Sequence, residues 1–324
     1  MRMAFSRREF VAGVGAGAAA ALSPRMVRAF AAACPFRVAV INDEISQDFD
    51  HACSVVAKDF GLQWIELRGM WNKNLTNLDA NELAESKRIL AKYNLKVTDI
   101  ASPLFKVDWP GAPISRQSEH RDQFHAEDTF KQQDALLEHC IELAKMFETV
   151  RIRCFDFWRL DDVKPYRTAM NEKLGAAARR CAKASLVLLL ENEMDCNTAT
   201  GAEAAATLSQ VREPNFMLNW DPGNAATFPD TTPYPKGYNL LPKKRIGHCH
   251  AKSVIREPGG KWKWAPVGQG VVDWAGQLRA LKRDGYRYAV SLETHWRGAG
   301  TPEASTRVSF AGLKKALEQA GTGC

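Results

Sequence analysis

Leu186-Val-Leu-Leu-Leu-Glu191 is an unbroken apolar run that stops on a carboxylate. Short apolar runs of this kind read as buried strands. Three later segments follow the same rule: Asn215-Phe-Met-Leu-Asn-Trp-Asp221, Arg245-Ile-Gly-His-Cys-His250 and Tyr288-Ala-Val-Ser-Leu-Glu293. Each ends on a residue that can bind a divalent cation. One acid or imidazole at the C-terminal tip of four successive buried strands is what a parallel α/β barrel needs to hold one metal ion. The C-terminal rim is also where such barrels carry their chemistry.

Working outward from these runs, the chain alternates short apolar segments with longer amphipathic ones. Strands are expected over 36–43, 64–68, 96–102, 150–155, 186–191, 216–221, 246–252 and 288–293. Helical periodicity falls near 47–60, 78–93, 126–147, 163–184, 201–211, 273–285 and 303–320, with a weak, Pro- and Gly-rich stretch at 222–244. Eight strand–helix repeats without a shift in composition predict a single (β/α)8 TIM barrel over residues 32–324. A doubly wound open sheet fits poorly, because no Gly-x-Gly-x-x-Gly follows the first strand. The connections 102–125 and 253–272 exceed what a turn requires; both follow strands and are expected to form lid and substrate loops over the mouth.

Side chains on a strand alternate, so every second residue points into the barrel. Counting back from the tips gives inward sets Val187/Leu189/Glu191, Met217/Asn219/Asp221, His248/His250/Lys252 and Ala289/Ser291/Glu293. Each set runs from apolar or neutral at depth to charged at the rim. Carboxylates crowded into a low-dielectric mouth repel one another unless a cation neutralises them. Glu191, Asp221, His250 and Glu293 are therefore expected to bind one divalent ion. Oxygen donors plus one imidazole suit an octahedral ion with open positions, Mn²⁺ first, with Mg²⁺, Co²⁺ or Zn²⁺ as alternatives.

Glu191-Asn-Glu, Asn219-Trp-Asp-Pro-Gly-Asn224, His248-Cys-His-Ala-Lys252, Gly268-Gln-Gly-Val-Val-Asp-Trp274 and Leu292-Glu-Thr-His295 together resemble the xylose-isomerase-like barrel superfamily, the sugar phosphate isomerases and epimerases. The resemblance spans roughly residues 36–320. It implies the same four metal ligands, and it implies that Glu191 and Glu293 also form an acid/base pair on opposite faces of the substrate. Such a pair suits proton abstraction next to a carbonyl through a metal-stabilised enediolate. Two positions depart from the ketose-epimerase pattern, Asn224 standing where a histidine follows the aspartate ligand and Asn197 where a glutamate is expected; both are expected to contact substrate in their place. Arg256 matches an arginine that touches substrate in that branch.

Other residues are expected around the mouth. Six of the nine tryptophans, Trp109 among them, follow predicted strands, and an indole face suits the C–H face of a pyranose. Glu66 and Arg68 point inward on the second strand and could bind hydroxyls or pair with each other. Lys252 and His295 lie two residues beyond His250 and Glu293 on the same faces, placed to contact substrate. His248 is expected to be a core histidine.

The first thirty-odd residues stand apart. Ser6-Arg-Arg-Glu-Phe10 precedes a small-residue apolar stretch and then Ser23-Pro24, the pattern of a twin-arginine signal peptide over residues 1–31. Export to the periplasm or beyond is expected, through the twin-arginine machinery and without a stable membrane span. Ala31-Ala-Ala-Cys34 is a weaker lipoprotein-type alternative that would lipidate Cys34. Removing the leader takes away five arginines and Glu9, so the formal charge of +7 falls by four and nucleic-acid binding gains no support. The eight cysteines show no metal spacing; Cys140, Cys181 and Cys249 are expected to be buried thiols.

The expected function is a metal-dependent carbohydrate isomerase or epimerase acting on a non-phosphorylated sugar or keto-sugar, since sugar phosphates are scarce outside the cytoplasm. A lyase acting by β-elimination on 3-keto-glycosides would share the metal and the base. An apurinic endonuclease would need further histidines that Asn224 and Ile255-Arg-Glu-Pro-Gly259 do not supply. A sugar-binding protein with a structural metal is the third class. Oligomeric state is left open.

Overall fold

A computed structural model describes residues 34–113, 129–228 and 232–324, with Cys34–Cys324 forming one compact unit. The leader at 1–31 and part of the 102–125 connection lie outside the described residues. Eight parallel strands form the sheet: β1 (Arg37–Val40), β2 (Trp64–Leu67), β3 (Lys96–Ile100), β4 (Arg151–Cys154), β5 (Val187–Glu191), β6 (Phe216–Trp220), β7 (Ile246–Ala251) and β8 (Ala289–Leu292). Their order is β1-β8-β7-β6-β5-β4-β3-β2, and a parallel bridge between Ile41 and Glu66 brings the two ends together. The sheet is thus a nearly closed α/β TIM barrel.

Helices α1 (Phe49–Ser54), α2 (Ala80–Lys92), α3 (Gln133–Met146), α4 (Lys164–Lys183), α5 (Gly201–Gln210), α6 (Pro222–Ala226), α7 (Trp274–Arg283) and α8 (Pro302–Gln319) carry the chain between strands. Several start where the sequence supplies a cap. Asp79 with Glu82 and Thr200 with Glu203 form reciprocal capping boxes at α2 and α5, satisfying N–H groups that a helix start leaves free. None of the helices among the described residues is long and apolar enough to cross a membrane. After β6 the weak 222–244 pattern resolves into α6 and two short helical turns at Pro233–Gly237 and Tyr238–Leu240.

Alternation along the strands sorts the core. Leu188, Leu190, Phe216, Leu218, Cys249, Val290 and Leu292 belong to the main apolar cluster between sheet and helices. The intervening residues fill the barrel interior and turn polar toward the C-terminal rim. Strand tilt staggers that rim. Glu191 is level with Asn219, Asn219 with His248, and His250 with Ser291, so the donors climb one inward step at β6 and another at β8.

The 253–272 connection, read as a loop, is an antiparallel hairpin of Ser253–Arg256 against Trp262–Ala265. Gly270 (φ +102°) makes it possible, because a Cβ there would sit 2.1 Å from the Val254 carbonyl oxygen. A disulfide joins Cys34, just before β1, to Cys324 after α8. Cys53, Cys140, Cys154, Cys181, Cys196 and Cys249 are buried free thiols.

Candidate metal centre and active site

Four strand tips converge as the alternation requires. Glu191, Asp221, His250 and Glu293 each offer a ligand atom, and these atoms lie within 4.8 Å of one another, all buried. His250 Nδ1 is the hub, 3.0 Å from Glu191 Oε1, 3.3 Å from Glu293 Oε2 and 3.9 Å from Asp221 Oδ2. Local chemistry orients each donor. Asp221 caps α6 by accepting the Asn224 N–H on Oδ1, which leaves Oδ2 free to face the cluster. Asn192 clamps the Asp221 backbone, accepting its N–H at 2.8 Å and donating to its carbonyl at 2.7 Å. That clamp explains why Glu-Asn-Glu and Asn-Trp-Asp occur together.

The donors suit a cation. Asp221 Oδ2 is buried, with the Lys252 ammonium 3.0 Å away as its charged partner. Burial, against the pull of the Lys252 ammonium, pushes the Asp221 carboxyl up to about 7, as expected for an acid short of positive charge. Burial also acts on Glu191, but His250 and Arg153 outweigh it and hold that carboxyl at about 2. Glu293 is held well below the usual range, burial being outweighed by Lys252, His295 and His250. Three hard oxygens and one imidazole in a buried pocket form a candidate site for one divalent ion.

Glu66 does not face the mouth. It lies under the imidazoles, with Oε1 2.9 Å from His250 Nε2 and Oε2 3.0 Å from His248 Nε2. A carboxylate on Nε2 fixes the ring so that Nδ1 points at the other donors. His248 is indeed a core histidine, although its Nδ1 finds no partner. Arg68 spans three carboxylates, with Nε 3.0 Å from Asp43, and Nη atoms 2.7 Å from Glu44 and 2.5 Å from Glu293. Lys252 is buried, 3.0 Å from Asp221 Oδ2 and 2.5 Å from Glu293 Oε2. His295, at φ 48°, lies 3.1 Å from Glu293 Oε1. Asn224 reaches Glu191 and Glu193, both at 3.4 Å.

Three expected substrate contacts are engaged elsewhere. The Asn197 amide donates to the carbonyls of Asp156, Phe157 and Trp158 and accepts the Leu160 N–H, so it holds the loop after β4. Arg256 donates to the Ala226 and Phe228 carbonyls after α6. Trp109 packs edge-on against Phe130 and Phe157. The indole that does overlook the donors is Trp264, whose ring lies 5.2 Å from Lys252 Nζ and 5.0 Å from the His295 ring.

Sequence reasoning missed several groups. Arg153 donates to Glu191 Oε2 at 3.1 Å and to the Ala101 and Ser102 carbonyls. Asp43 and Glu44 anchor Arg68, and Glu44 also accepts from Arg297. Lys106 lies 4.0 Å from Glu193 and over the Phe155 and Trp158 rings. A signal existed for some: Arg151-Ile-Arg153 places two cations at alternate positions of an apolar strand, and Asn42-Asp-Glu44 is an acidic tip like the other four.

A model of the xylose isomerase-like TIM barrel family matches residues 55–316. A xylose isomerase-like TIM barrel protein from Mycobacterium smegmatis, solved with magnesium, superposes with a TM-score of 0.62 at 17% identity, covering 85% of this chain and 89% of that one. A probable 3-DHS dehydratase from Bacillus anthracis gives 0.62 at 19% identity, over 86% and 98%. The D-psicose 3-epimerase of Clostridium cellulolyticum H10, solved with D-tagatose, gives 0.60 at 16% identity, over 87% and 97%. At these identities the likeness is one of fold. No curated protein matches the chain by sequence.

Proposed function

The chain belongs to the xylose isomerase-like TIM barrel family, and from that premise we propose that it is a divalent-metal-dependent carbohydrate isomerase or epimerase. The observation that carries this reading is the convergence of Glu191 and Glu293, from β5 and β8, on the same His250 nitrogen at 3.0 and 3.3 Å. Both carboxyls are held below their ordinary range, so each is ionised until it takes up a proton. One removes a proton from the carbon next to a carbonyl. The other, once it has taken a proton from solvent, gives that proton to the same carbon and inverts it. Return of the abstracted proton to the neighbouring carbon, with the hydroxyl proton passing between the two oxygens, moves the carbonyl instead. Arg153 and Arg68 hold the two carboxylates in place. A divalent ion held by Glu191, Asp221, His250 and Glu293, Mn²⁺ by preference, would polarise the carbonyl and offset the charge that builds on its oxygen.

The substrate we propose is a non-phosphorylated sugar or keto-sugar. Both buried guanidiniums are already matched by carboxylates, which disfavours a dianionic phosphate as the group they bind. Trp264 offers a flat apolar face for ring C–H groups beside Lys252 and His295. Export by the twin-arginine route is part of the reading, supported by Arg7-Arg8 and by the disulfide between the chain ends.

Purified protein with Mn²⁺ and candidate keto-sugars in deuterated water should incorporate deuterium beside the carbonyl without losing a substituent. Loss of an aglycone together with exchange would make it a lyase on 3-keto-glycosides instead. Glu191→Gln and Glu293→Gln should each lower turnover by about 10²–10⁴-fold while sugar affinity is largely kept. Unchanged turnover in both variants would remove the acid/base assignment.

A further inference from the structure

Lys252 is a fully buried ammonium inside the proposed metal centre. Its Nζ contacts Asp221 Oδ2 at 3.0 Å and Glu293 Oε2 at 2.5 Å. These oxygens are two of the atoms that face His250 Nδ1. Its stem is built in, because a Cβ on Gly223 would sit 2.4 Å from Lys252 Cγ. The glycine of Asp221-Pro-Gly-Asn224 is therefore the residue that lets this lysine pass. Trp274 Nε1 donates to the Lys252 carbonyl at 3.0 Å and fixes its backbone. Above the ammonium lies the Trp264 ring, at 5.2 Å.

We propose that Lys252 is the resident cation of the metal-free centre and exchanges places with the divalent ion, moving toward the Trp264 face when the ion enters. The inference rests on the metal reading given under Proposed function. A divalent ion binds carboxylate oxygens at about 2.0–2.6 Å. Held by Asp221 Oδ2 and Glu293 Oε2, it would stand close to an ammonium on the same two atoms, and like charges at that range in a buried site repel strongly. The ammonium has a place to go, since an indole face accepts a cation. Without the ion, the lysine keeps Asp221 and Glu293 from standing unpaired. With the ion bound, the lysine becomes a donor in the sugar pocket beside His295, directed at an oxygen of the substrate.

The test is calorimetric titration of Mn²⁺ into chelator-treated full-length protein, in wild type, Lys252→Met and Lys252→Gln, with near-UV circular dichroism confirming the fold. Exchange predicts that both uncharged variants bind Mn²⁺ at least about tenfold more tightly than wild type, because no ammonium must be displaced. It also predicts a Mn²⁺-induced change in tryptophan fluorescence that is lost in Trp264→Phe and in both Lys252 variants. Should wild type bind Mn²⁺ while the variants bind no more tightly, the exchange is overturned and the metal site stands. Should wild type bind no divalent ion, the metal reading falls and the exchange falls with it.

Discussion

The two halves of the barrel divide the labour of the site. Strands β5–β8 present Glu191, Asp221, His250 and Glu293, the groups that can hold an ion. Strands β1–β4 and the turns that follow them present Asp43, Glu44, Glu66, Arg68, Asp99 and Arg153, all buried. None of these is in the four-donor cluster, yet Arg68, Arg153 and Glu66 each bond to a member of it. One half supplies the donors and a single ammonium, Lys252; the other supplies most of the remaining counter-charge. The donor half alone would set three acids against that one lysine in a low-dielectric pocket.

Substitutions on opposite halves should therefore fail in different ways. Arg68→Met leaves the Asp43, Glu44 and Glu293 carboxylates without a shared partner. Removing one member of a buried ion-pair network typically costs about 3–5 kcal/mol, which for a domain of this size lowers Tm by roughly 10 °C. Asp221→Asn should do the reverse. It removes an acid that burial has pushed up to about 7 and leaves Lys252 paired with Glu293, so metal-free stability should change little while Mn²⁺ uptake is lost. Thermal unfolding of chelator-treated protein, paired with Mn²⁺ titration, reads both. Equal losses of stability in the two variants would erase the distinction between the halves.

The same division explains what could be read from the chain. The donor half was legible because each of its four residues stands at the end of a buried run, at the tips of successive strands. Alternation then put Asn219, His248 and Ser291 beneath the donors, as the strand register has them. Counter-charges were harder, because their partners are distant in sequence: Arg68 and Glu293 are separated by 225 positions, Arg153 and Glu191 by 38. Spacing carries no trace of such pairs. Asn197 and Arg256 were expected at the sugar because they stand at family positions, but position along a strand end does not say which way a loop turns. Asn197 faces the carbonyls of 156–158, and Arg256 those of 226 and 228. The tilt of the rim was hidden too, because it arises from closing the sheet rather than from any one strand.

A finer separation comes from Glu66, which touches the donor half only through imidazoles. Glu66→Gln keeps the shape and the acceptor oxygen but removes the charge that holds His250 Nε2–H. Loss of a carboxylate behind a ligating histidine typically weakens metal affinity by about 10–100-fold. Mn²⁺ titration should show that loss with the metal-free Tm little changed, since the amide still fills the same space between His248 and His250. An unchanged affinity would mean that His250 is held by packing alone, with Asn219, 3.1 Å from its Nε2, as the remaining partner.

The smallest expected effect lies deepest. Asp99 on β3 accepts from Thr98 Oγ1 at 2.9 Å, sits 3.6 Å from His248 Nε2 and leaves Oδ2 without a hydrogen-bond partner. Burial, reinforced by the Glu66 charge, pushes its carboxyl from 3.8 up to about 6. An acid whose folded pKa is raised binds its proton more tightly in the native state than when unfolded. Native stability therefore falls as pH rises from about 4 to about 6, and the cost stays in place above that window. Asp99→Asn removes a charge that the fold does not want, so it should be neutral near pH 4 and stabilising near pH 7.5. The shift corresponds to about 3 kcal/mol, and burying an amide N–H₂ that lacks a partner offsets much of it, so the net gain should be about 1 kcal/mol. Denaturant unfolding of metal-free protein at the two pH values measures it. A variant that is destabilised at pH 7.5 would show Asp99 to be a counter-charge that His248 depends on, and the ionic network would then extend one strand further from the donors than Arg68 and Glu66 already carry it.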